Sequence, residues 1–341
     1  MRTDFVSVIV PCRNERRHIR TFIDSVLGQE TDGLDWEIIV ADGMSDDGTR
    51  EILGGLNDSK IVVIDNPELT VSAGLNAAIR MAKGNIIVRM DCHTEYQRDY
   101  IARSVAALQE TGADNVGGAA RTRVSGRLAR AIAAAYHSPF STGGASFHNE
   151  LYRGYVDTVT YGCWLKATLE RLGFFDEALV RNQDDELNLR LVRSGGKIWQ
   201  SPDIVSWYSP RGSLSSLFRQ YFQYGFWKVA VIRKHRIPAS WRHLVPGLFV
   251  IGNAMLLAAG FLYPRALAMW LATMAFYSLC CVIAAVLAAK RSGWDLVAIL
   301  PLVFVVYHVS YGLGFLFGVC YWPVAGSGTH RAGKAFTALS R

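Results

Sequence analysis

The 341-residue chain has no glycine-rich phosphate loop after its first predicted strand. That strand, residues 6–10, runs into Pro-Cys-Arg-Asn-Glu, which excludes the Gly-x-Gly-x-x-Gly turn of dinucleotide-binding folds. The sequence contains no Gly-x-x-x-x-Gly-Lys-Ser/Thr segment, which excludes a P-loop. Its six cysteines form no Cys-x-x-Cys pair, which argues against a zinc centre and a disulfide framework.

Acidic residues are almost absent from the last part of the chain. Residues 1–203 contain 28 of the 29 acids and 23 of the 36 Lys and Arg, whereas only Asp295 is acidic among residues 204–341. The net charge is therefore near −5 for the first part and near +12 for the second. Because the basic part is also rich in Leu, Ala, Phe, Trp and Tyr, its composition favours membrane lipids over nucleic acid as partners.

Three apolar stretches follow, at residues 244–263, 266–289 and 296–319. Each is about as long as a helix that crosses the hydrocarbon core of a bilayer, which takes roughly 20 residues. Basic residues precede the first stretch, and Lys290 and Arg291 separate the second from the third. The positive-inside rule therefore predicts a multi-pass protein of the inner (plasma) membrane whose N-terminal part is cytoplasmic.

The first 120 residues alternate short β-branched runs with helical stretches. The predicted strands are residues 6–10, 36–40, 61–64 and 86–90, and the order βαβα indicates an α/β fold with a parallel, doubly wound sheet. Ligands of such sheets bind beyond the carboxyl ends of the strands. Residues 115–161 lack a regular pattern and are predicted to form an acceptor-side loop.

Acidic residues follow three of these strands: Glu15 the first, Asp42 the second and Asp91 the fourth. Carboxylates that converge on one crevice repel each other, so we expect a cation between them. A hard divalent ion, Mg²⁺ or Mn²⁺, that also binds a phosphate group is the natural candidate. This pattern predicts an enzyme that acts on a nucleotide or a diphosphate.

Two of these acids lie in short polar motifs. Asp42 and Ser45 can hydrogen-bond a base or a ribose, although the same motif also fits a capped turn before a helix. Asp91 and His93 can bind one divalent cation together, although such a pair is also common on protein surfaces.

A third acidic cluster, Asp184-Asp185-Glu186, begins a predicted helix. Acids at this position stabilise the helix dipole, which is one explanation for them. The other is a general base that takes the proton from an acceptor hydroxyl as it attacks an anomeric carbon. Such a reaction has an oxocarbenium-like transition state and a departing diphosphate.

The segment before the first apolar stretch is basic and aromatic, and it predicts a helix in the membrane interface. Arg211, Arg219 and Lys228 are candidates to bind pyrophosphate or lipid head groups, and positive-inside charge explains them equally well.

Taken in order, these motifs resemble family 2 glycosyltransferases of the GT-A fold, a Rossmann-like fold with a mostly parallel sheet. The ExoA-type glucosyltransferases of succinoglycan synthesis are the most similar. The resemblance covers nearly the whole chain and rests on the segments SVIVPCRNE, IIVADGMSDDGT, NAAIRMAKGNIIVRMDCHTEY, GFFDEALVRNQDDELNLRL and RQYFQYGFWK.

The resemblance implies a cytoplasmic GT-A domain (1–210), an amphipathic interfacial segment (211–243), three transmembrane helices (244–320) and a tail (321–341). It implies an inverting enzyme of exopolysaccharide biosynthesis that moves a hexose from a UDP-sugar to a lipid-linked saccharide, and glucose is the first candidate for that hexose. Other polysaccharide-assembly enzymes are potential partners. Three alternatives stay open: a polyprenyl-phosphate glycosyltransferase, a processive synthase and a membrane-anchored nucleotide-binding module.

The resemblance also assigns residues. Asp184 becomes the base, with Asp185 as the alternative one residue along, and Asp91 and His93 become the metal ligands. The usual second Asp of the Asp-x-Asp motif is replaced by His93, and Gln183 replaces the usual Glu before the base. The remaining assignments are donor-site residues (Pro11, Arg13, Glu15, Asp42, Ser45, Asn76, Arg89, Asp91) and acceptor or diphosphate residues (Trp164, Arg211, Arg219, Gln220, Lys228).

Overall fold

The computed structural model describes residues 4–325, which form two compact units. Among these residues, the first unit comprises 4–122 and 146–209, and the second comprises 123–145 and 210–325. Residues 123–145 therefore group with the C-terminal helices although they lie within the N-terminal half of the sequence. Most of the predicted tail, 321–341, lies outside the described residues.

The first unit contains eleven strands among the described residues. They are β1 (Phe5–Cys12), β2 (Asp35–Asp42), β3 (Ile61–Asp65), β4 (Ile86–Arg89), β5 (Thr94–Tyr96), β6 (Asn115–Gly118), β7 (Ala120–Thr122), β8 (Gly154–Val156), β9 (Thr160–Leu165), β10 (Ile198–Gln200) and β11 (Ser206–Tyr208). Eight form one sheet in the order β3-β2-β1-β4-β9-β6-β10-β8, and β5, β11 and β7 form a second, three-stranded sheet. Strands β1 to β4 are parallel, and β9 runs antiparallel between β4 and β6.

Twelve α-helices within residues 4–325 connect and follow these strands. They are α1 (Ile19–Leu27), α2 (Thr49–Gly54), α3 (Val71–Met81), α4 (Tyr100–Thr111), α5 (Arg127–Tyr136), α6 (Pro139–Thr142), α7 (Lys166–Leu172), α8 (Gln183–Arg193), α9 (Leu214–His235), α10 (Val245–Gly260), α11 (Pro264–Ser292) and α12 (Leu300–Ala325). The apolar sides of α1 and α4 cover one face of the large sheet, and those of α3, α7 and α8 cover the other. The result is the predicted three-layer α/β arrangement.

The strand predictions are confirmed. The runs in β1, β2 and β4 are buried on both faces, as central parallel strands require, whereas β3 is an edge strand and is partly exposed. Two local predictions are wrong. The sequence predicts that Ser72 caps a helix running to about Lys83, but Thr70 caps α3, because the Thr70 side chain accepts from the Ala73 N–H while the Ser72 hydroxyl donates to the Leu179 carbonyl. The predicted irregular loop at 115–161 instead contains three strands (β6 to β8), the start of β9 and two α-helices, since its small residues pack in sheets and against other helices.

In the described part of the second unit, three helices are long and apolar enough to cross a membrane: Trp241–Gly260, Pro264–Ser292 and Leu300–Val324. Helix α9, at the position of the predicted interfacial segment, packs along α12. Glycines permit this packing: a Cβ on Gly225 would lie 2.1 Å from the Tyr311 carbonyl oxygen, and one on Gly314 would lie 2.0 Å from that of Phe222. The interfacial location of α9 stays a prediction.

Helix α5 belongs to the same packing. Its apolar side, including Ala131, Ile132 and Ala135, is buried in a cluster with residues of α11 and α12. At the turn between α11 and α12, Asp295 accepts hydrogen bonds from the Arg130 guanidinium at 2.9 and 3.2 Å. The only acid of this unit is therefore neutralised by an arginine.

Candidate active site

The loops that follow β1 and β2 are locked to each other by side chain to backbone hydrogen bonds. The Asn14 N–H donates to the Ser45 hydroxyl at 2.8 Å, and the Glu15 N–H donates to the Thr49 hydroxyl at 2.8 Å. Asn14 adopts a positive φ of 56°, which asparagine tolerates better than most residues. These contacts fix the backbone that carries Glu15 at the carboxyl edge of the sheet.

Asp42, predicted to bind nucleotide, is buried beneath this loop with 1% exposure. Its carboxylate accepts from the Ser45 N–H (3.1 Å), the Ser45 hydroxyl (2.5 Å) and the Arg50 guanidinium (2.8 Å). Burial of a carboxylate is costly unless it is paired and hydrogen-bonded, as it is here. Asp42 and Ser45 therefore organise the loop, and their direct contact with a nucleotide stays a prediction.

Glu15 and His93 meet at the same edge. The Glu15 side chain is 5% exposed and the His93 side chain 46% exposed, and His93 Nδ1 lies 3.6 Å from Glu15 Oε1. The structure therefore brings together two residues that the sequence assigned separately, to the nucleotide and to the metal.

Arg89 hydrogen-bonds two carboxylates, that of Asp91, a predicted donor-site residue, and that of Asp184, the predicted base. Its Nε and Nη2 donate to the two oxygens of Asp91 at 2.9 and 3.0 Å, and its Nη1 donates to Asp184 Oδ1. Burial lowers the pKa of Arg89, but the charges of Asp184 and Asp91 outweigh it and hold the net pKa above the usual range. The guanidinium is therefore a permanent positive charge between two predicted site residues 93 positions apart in sequence, Asp91 and Asp184.

Asp184 lies in the first turn of α8, and its side chain keeps 39% exposure. Desolvation by the surrounding protein raises its pKa, Arg89 lowers it, and the nearby charges of Asp91 and Asp185 raise it, so the net pKa is above the ordinary value. A raised pKa makes the carboxylate a better proton acceptor. The arrangement can remove a proton from a hydroxyl that reaches Asp184.

Glu186 has a different role from Asp184. It is fully buried, and Arg190 Nε donates to its two oxygens at 2.9 and 3.0 Å. Arg190 also donates to the carbonyls of Leu172 and Phe174, so this pair ties α8 to the end of α7. Asp185 is partly exposed and lies next to Asp184 on the same turn, so the choice between them stays a prediction.

Two tyrosines at the site carried no role in the sequence analysis. The Asp91 N–H donates to the Tyr96 hydroxyl at 2.6 Å, and the Tyr161 ring centroid lies 5.8 Å from the guanidinium carbon of Arg89. Burial raises the pKa of both phenols, so they stay neutral. Tyr96 ends the RMDCHTEY segment, which was a usable signal, whereas no local pattern marks Tyr161.

The donor set fits a divalent ion that arrives with a phosphate ligand. Within residues 4–325, no three His, Cys, Asp or Glu side chains are grouped as a metal cage. Asp91 and His93 offer one carboxylate and one imidazole, and Mg²⁺ commonly binds through one or two carboxylates plus phosphate oxygens and water. Each Asp91 oxygen has more than one lone pair, so its hydrogen bonds to Arg89 leave coordination capacity.

The remaining donor-side predictions in the first unit have structural surroundings. The Asn76 amide is buried and bonds the backbone of Phe175 and the carboxylate of Glu177, which fixes the loop before α8. Arg13 donates to the Leu69 carbonyl at 3.4 Å, and Pro11 is partly buried near the end of β1. Their contact with a donor stays a prediction.

Trp164 is not placed on an accessible surface. It is a residue of β9 with 1% exposure, its side chain lies in the core, and its ring lies edge-on to Phe175 with centroids 6.2 Å apart. The prediction of direct acceptor contact is corrected by this burial, because an indole that fills the core cannot also face a substrate.

The other acceptor-side predictions all belong to the second unit. Arg211 precedes α9, and Arg219, Gln220 and Lys228 lie on that helix, where Gln220 and Lys228 are buried and Arg219 is exposed. Their roles toward diphosphate or acceptor stay predictions.

Known proteins resemble this chain in sequence and fold. Residues 7–164 match the family model described as Glycosyl transferase family 2. The succinoglycan biosynthesis protein ExoA of Rhizobium meliloti (strain 1021) is 32% identical over 243 residues, which cover 70% of this chain and 73% of the relative.

A second relative is the dolichyl N-acetyl-alpha-D-glucosaminyl phosphate 3-beta-D-2,3-diacetamido-2,3-dideoxy-beta-D-glucuronosyltransferase of Methanococcus voltae. It is 28% identical over 258 residues, which cover 73% of this chain and 80% of the relative. The solved structure of the mannosyltransferase PcManGT from Pyrobaculum calidifontis, in complex with GDP-Man and Mn²⁺, matches with a TM-score of 0.57. It is 23% identical, and the match covers 92% of this chain and 87% of that one. The predicted GT-A fold is confirmed by this likeness.

Proposed function

The chain belongs to glycosyl transferase family 2, and we propose that it transfers a hexose, with glucose the first candidate, from a UDP-sugar to a lipid-linked saccharide in exopolysaccharide biosynthesis. The observation that carries this proposal is a partly exposed carboxylate, Asp184, joined through Arg89 to Asp91 at the edge of the sheet. The names of the two relatives support the polymer class and the lipid-linked acceptor.

In the proposed reaction an acceptor hydroxyl attacks the anomeric carbon of the donor from the side opposite the diphosphate. As the new carbon–oxygen bond forms, the hydroxyl proton passes to the carboxylate of Asp184, and the bond to the diphosphate breaks with its electron pair. Displacement from the opposite face inverts the configuration at that carbon. The raised pKa of Asp184 supports its role as the proton acceptor.

Glu15, Asp42 and Ser45 are proposed to form the nucleotide side of the pocket, together with the loop backbone they hold. Asp91 and His93 would hold a divalent ion, Mg²⁺ or Mn²⁺. When bound, such an ion neutralises charge on the leaving diphosphate. Because only two protein side chains would hold this ion, the diphosphate of the donor would supply further oxygen ligands.

We also propose that the catalytic domain, 1–210, is cytoplasmic and that residues 244–320 cross the inner membrane three times. Residues 211–243 would lie in the interface and present Arg211 and Arg219, which are not buried, to the diphosphate or lipid head group of the acceptor. The three long apolar helices and the basic C-terminal end of α11, with Lys290 and Arg291, support this orientation.

The test is a matrix of donors and acceptors with the purified full-length protein in liposomes. UDP-glucose, UDP-galactose, UDP-N-acetylglucosamine and GDP-mannose are each offered with polyprenyl phosphate or with a polyprenyl diphosphate sugar, and products are identified by mass spectrometry. We expect an extended lipid diphosphate saccharide with a UDP-hexose. A product formed on bare polyprenyl phosphate would instead favour the polyprenyl-phosphate glycosyltransferase, and saccharide recovered inside the liposomes would favour a processive exporter.

A further inference from the structure

The geometry points to Arg89 as the positioning residue of the proposed base: one guanidinium holds Asp184 and Asp91 together and thereby fixes the base relative to the donor side. This inference rests on the proposed function and deepens it, since the role goes beyond the donor contact assigned to Arg89 from the sequence. Arg89 touches no reacting atom in this scheme and acts through Asp184.

The burial of Arg89 indicates that its charge is needed where it lies, because a buried cation is energetically costly. It is the last residue of β4, paired with Ile9 of β1, and its side chain is only 5% exposed. Burying a cation is costly unless it is paired and hydrogen-bonded. An apolar residue would suit the end of a central strand, so the arginine is explained by the two carboxylates that it contacts.

The hydrogen bonds are distributed unequally between the two acids. Asp91 takes a two-pronged contact from Nε and Nη2, whereas Asp184 takes one bond from Nη1. Arginine can do this because its guanidinium is planar and carries five donors in a rigid fork. Asp91 therefore anchors the guanidinium, and the remaining nitrogen orients Asp184.

This asymmetry separates the effects of the two acids. Without Asp184, Arg89 is still held by both oxygens of Asp91, so the donor side should keep its shape. Without Arg89, Asp184 loses the hydrogen bond that fixes its Oδ1, and its partly exposed carboxylate can turn away from the acceptor hydroxyl. Loss of Arg89 should therefore reduce turnover at saturating donor.

The experiment removes the guanidinium and then supplies it from solution. Arg89→Ala leaves a buried cavity flanked by two carboxylates, and we expect its turnover to fall about 10²-fold or more, within the range that a misplaced base costs. Guanidinium chloride, at concentrations well below those that unfold the protein, should restore part of that turnover in a saturable manner. Sodium chloride at equal ionic strength should not restore it.

Arg103→Ala is the matched control. Arg103 also pairs with a carboxylate, Asp99, at 2.9 Å, but its side chain is 56% exposed and lies on α4. We expect Arg103→Ala to keep wild-type turnover and to gain nothing from guanidinium. An equal response of both variants to guanidinium would overturn the proposal, because the effect would then be non-specific.

A second readout needs neither donor nor acceptor. Guanidinium binding in the cavity should raise the melting temperature of Arg89→Ala, and the rise should shrink in the double variant Arg89→Ala/Asp184→Asn. An unchanged rise in the double variant would show that Asp91 alone binds the cation and would overturn the link to Asp184. Because this measurement does not require sugar transfer, it tests Arg89 even if the wild-type protein fails the donor and acceptor matrix.

Arg89→Lys covers the case in which the alanine variant does not fold. Lysine keeps the positive charge but has no planar fork, so it cannot hold both carboxylates in the same geometry. We expect a folded protein with a kcat well below wild type at saturating donor. A wild-type kcat for Arg89→Lys would overturn the positioning role.

Discussion

The two units differ in the charged residues that they bury. The first unit buries charges and pairs them: Arg89 with Asp91 and Asp184, and Arg190 with Glu186. The second unit has a single acid, Asp295, at a helix turn, and its helices approach one another through glycine. The second unit also buries a cation, Lys228 on α9, and it relies on close backbone packing where its helices meet.

The comparison also explains the uneven charge of the chain. A carboxylate in an apolar helix packing would be left without solvent or a partner, which costs several kcal/mol. The same carboxylate at the carboxyl edge of a sheet can be held by an arginine and can bind a substrate. We therefore expect each unit to lose activity or stability through a kind of substitution that would be harmless in the other.

The largest effect should come from the charges of the first unit. We expect excess EDTA to abolish transfer and added Mg²⁺ or Mn²⁺ to restore it, and we expect Asp91→Ala to be inactive while it remains folded. Both changes remove the proposed hold on the diphosphate. His93→Asp should retain part of the activity with an altered preference between the two ions. Full activity of the wild-type protein in excess chelator would eliminate the metal from the account.

The second prediction concerns close packing in the second unit. Gly225→Ala places a Cβ 2.1 Å from the Tyr311 carbonyl oxygen, so α9 and α12 must move apart. Overpacking of this kind costs about 1–3 kcal/mol or more, and we expect a lower melting temperature in detergent. Gly252→Ala, on α10, is the control, since no heavy atom lies within 4 Å of its Cβ position, and it should change stability by less than about 0.5 kcal/mol. Equal melting temperatures for the two variants would refute the packing argument.

The third prediction concerns the pH dependence of turnover. The pKa of Asp184 is raised by desolvation and by its acidic neighbours despite Arg89, so its carboxylate takes up a proton at higher pH than an ordinary aspartate. Protonation removes the base, so kcat should fall as the pH drops through this raised pKa and should be level above it. A kcat that stays constant down to the ordinary range of aspartate would contradict the assignment.

The smallest effect on activity is expected from a test of topology. A reporter fused after residue 341 should leave transfer unchanged and should report a periplasmic C-terminus, as three crossings from a cytoplasmic N-terminus require. Alkaline phosphatase and a cytoplasm-specific fluorescent protein, fused in parallel, give opposite signals. Activity of the cytoplasmic reporter alone would replace the three crossings with an even number.

The large sheet could be predicted from sequence because its signals are local. Runs such as residues 6–10 and 36–40 are β-branched and buried on both faces, and an acid follows each. Proximity of Asp91 and Asp184 was implied only by family resemblance, and the arginine between them had no local signal. Trp164 was assigned to the acceptor site from the sequence, but an aromatic residue next to a motif can instead belong to the core, as Trp164 does.

The packing of residues 123–145 with the C-terminal helices also could not be predicted from the sequence. The segment is rich in alanine, and alanine favours a helix without indicating what that helix contacts. Its partners include residues more than 140 positions further along the chain, as the contact between Arg130 and Asp295 illustrates. Only a three-dimensional arrangement reveals that pairing.

The most direct test of the central claim compares kcat for Asp184→Asn and Asp185→Asn under saturating UDP-sugar and acceptor, with UDP affinity measured on the same preparations. Asparagine keeps the size of the side chain and removes its basicity, so we predict that Asp184→Asn loses about 10²–10⁴-fold in kcat. Its UDP affinity should change less than about twofold, because Arg89 stays anchored on Asp91. Asp185→Asn should lose much less. Near wild-type turnover of Asp184→Asn would contradict the account: an inactive Asp185→Asn would then move the base by one residue, and two active variants would leave these acids as stabilisers of the helix terminus.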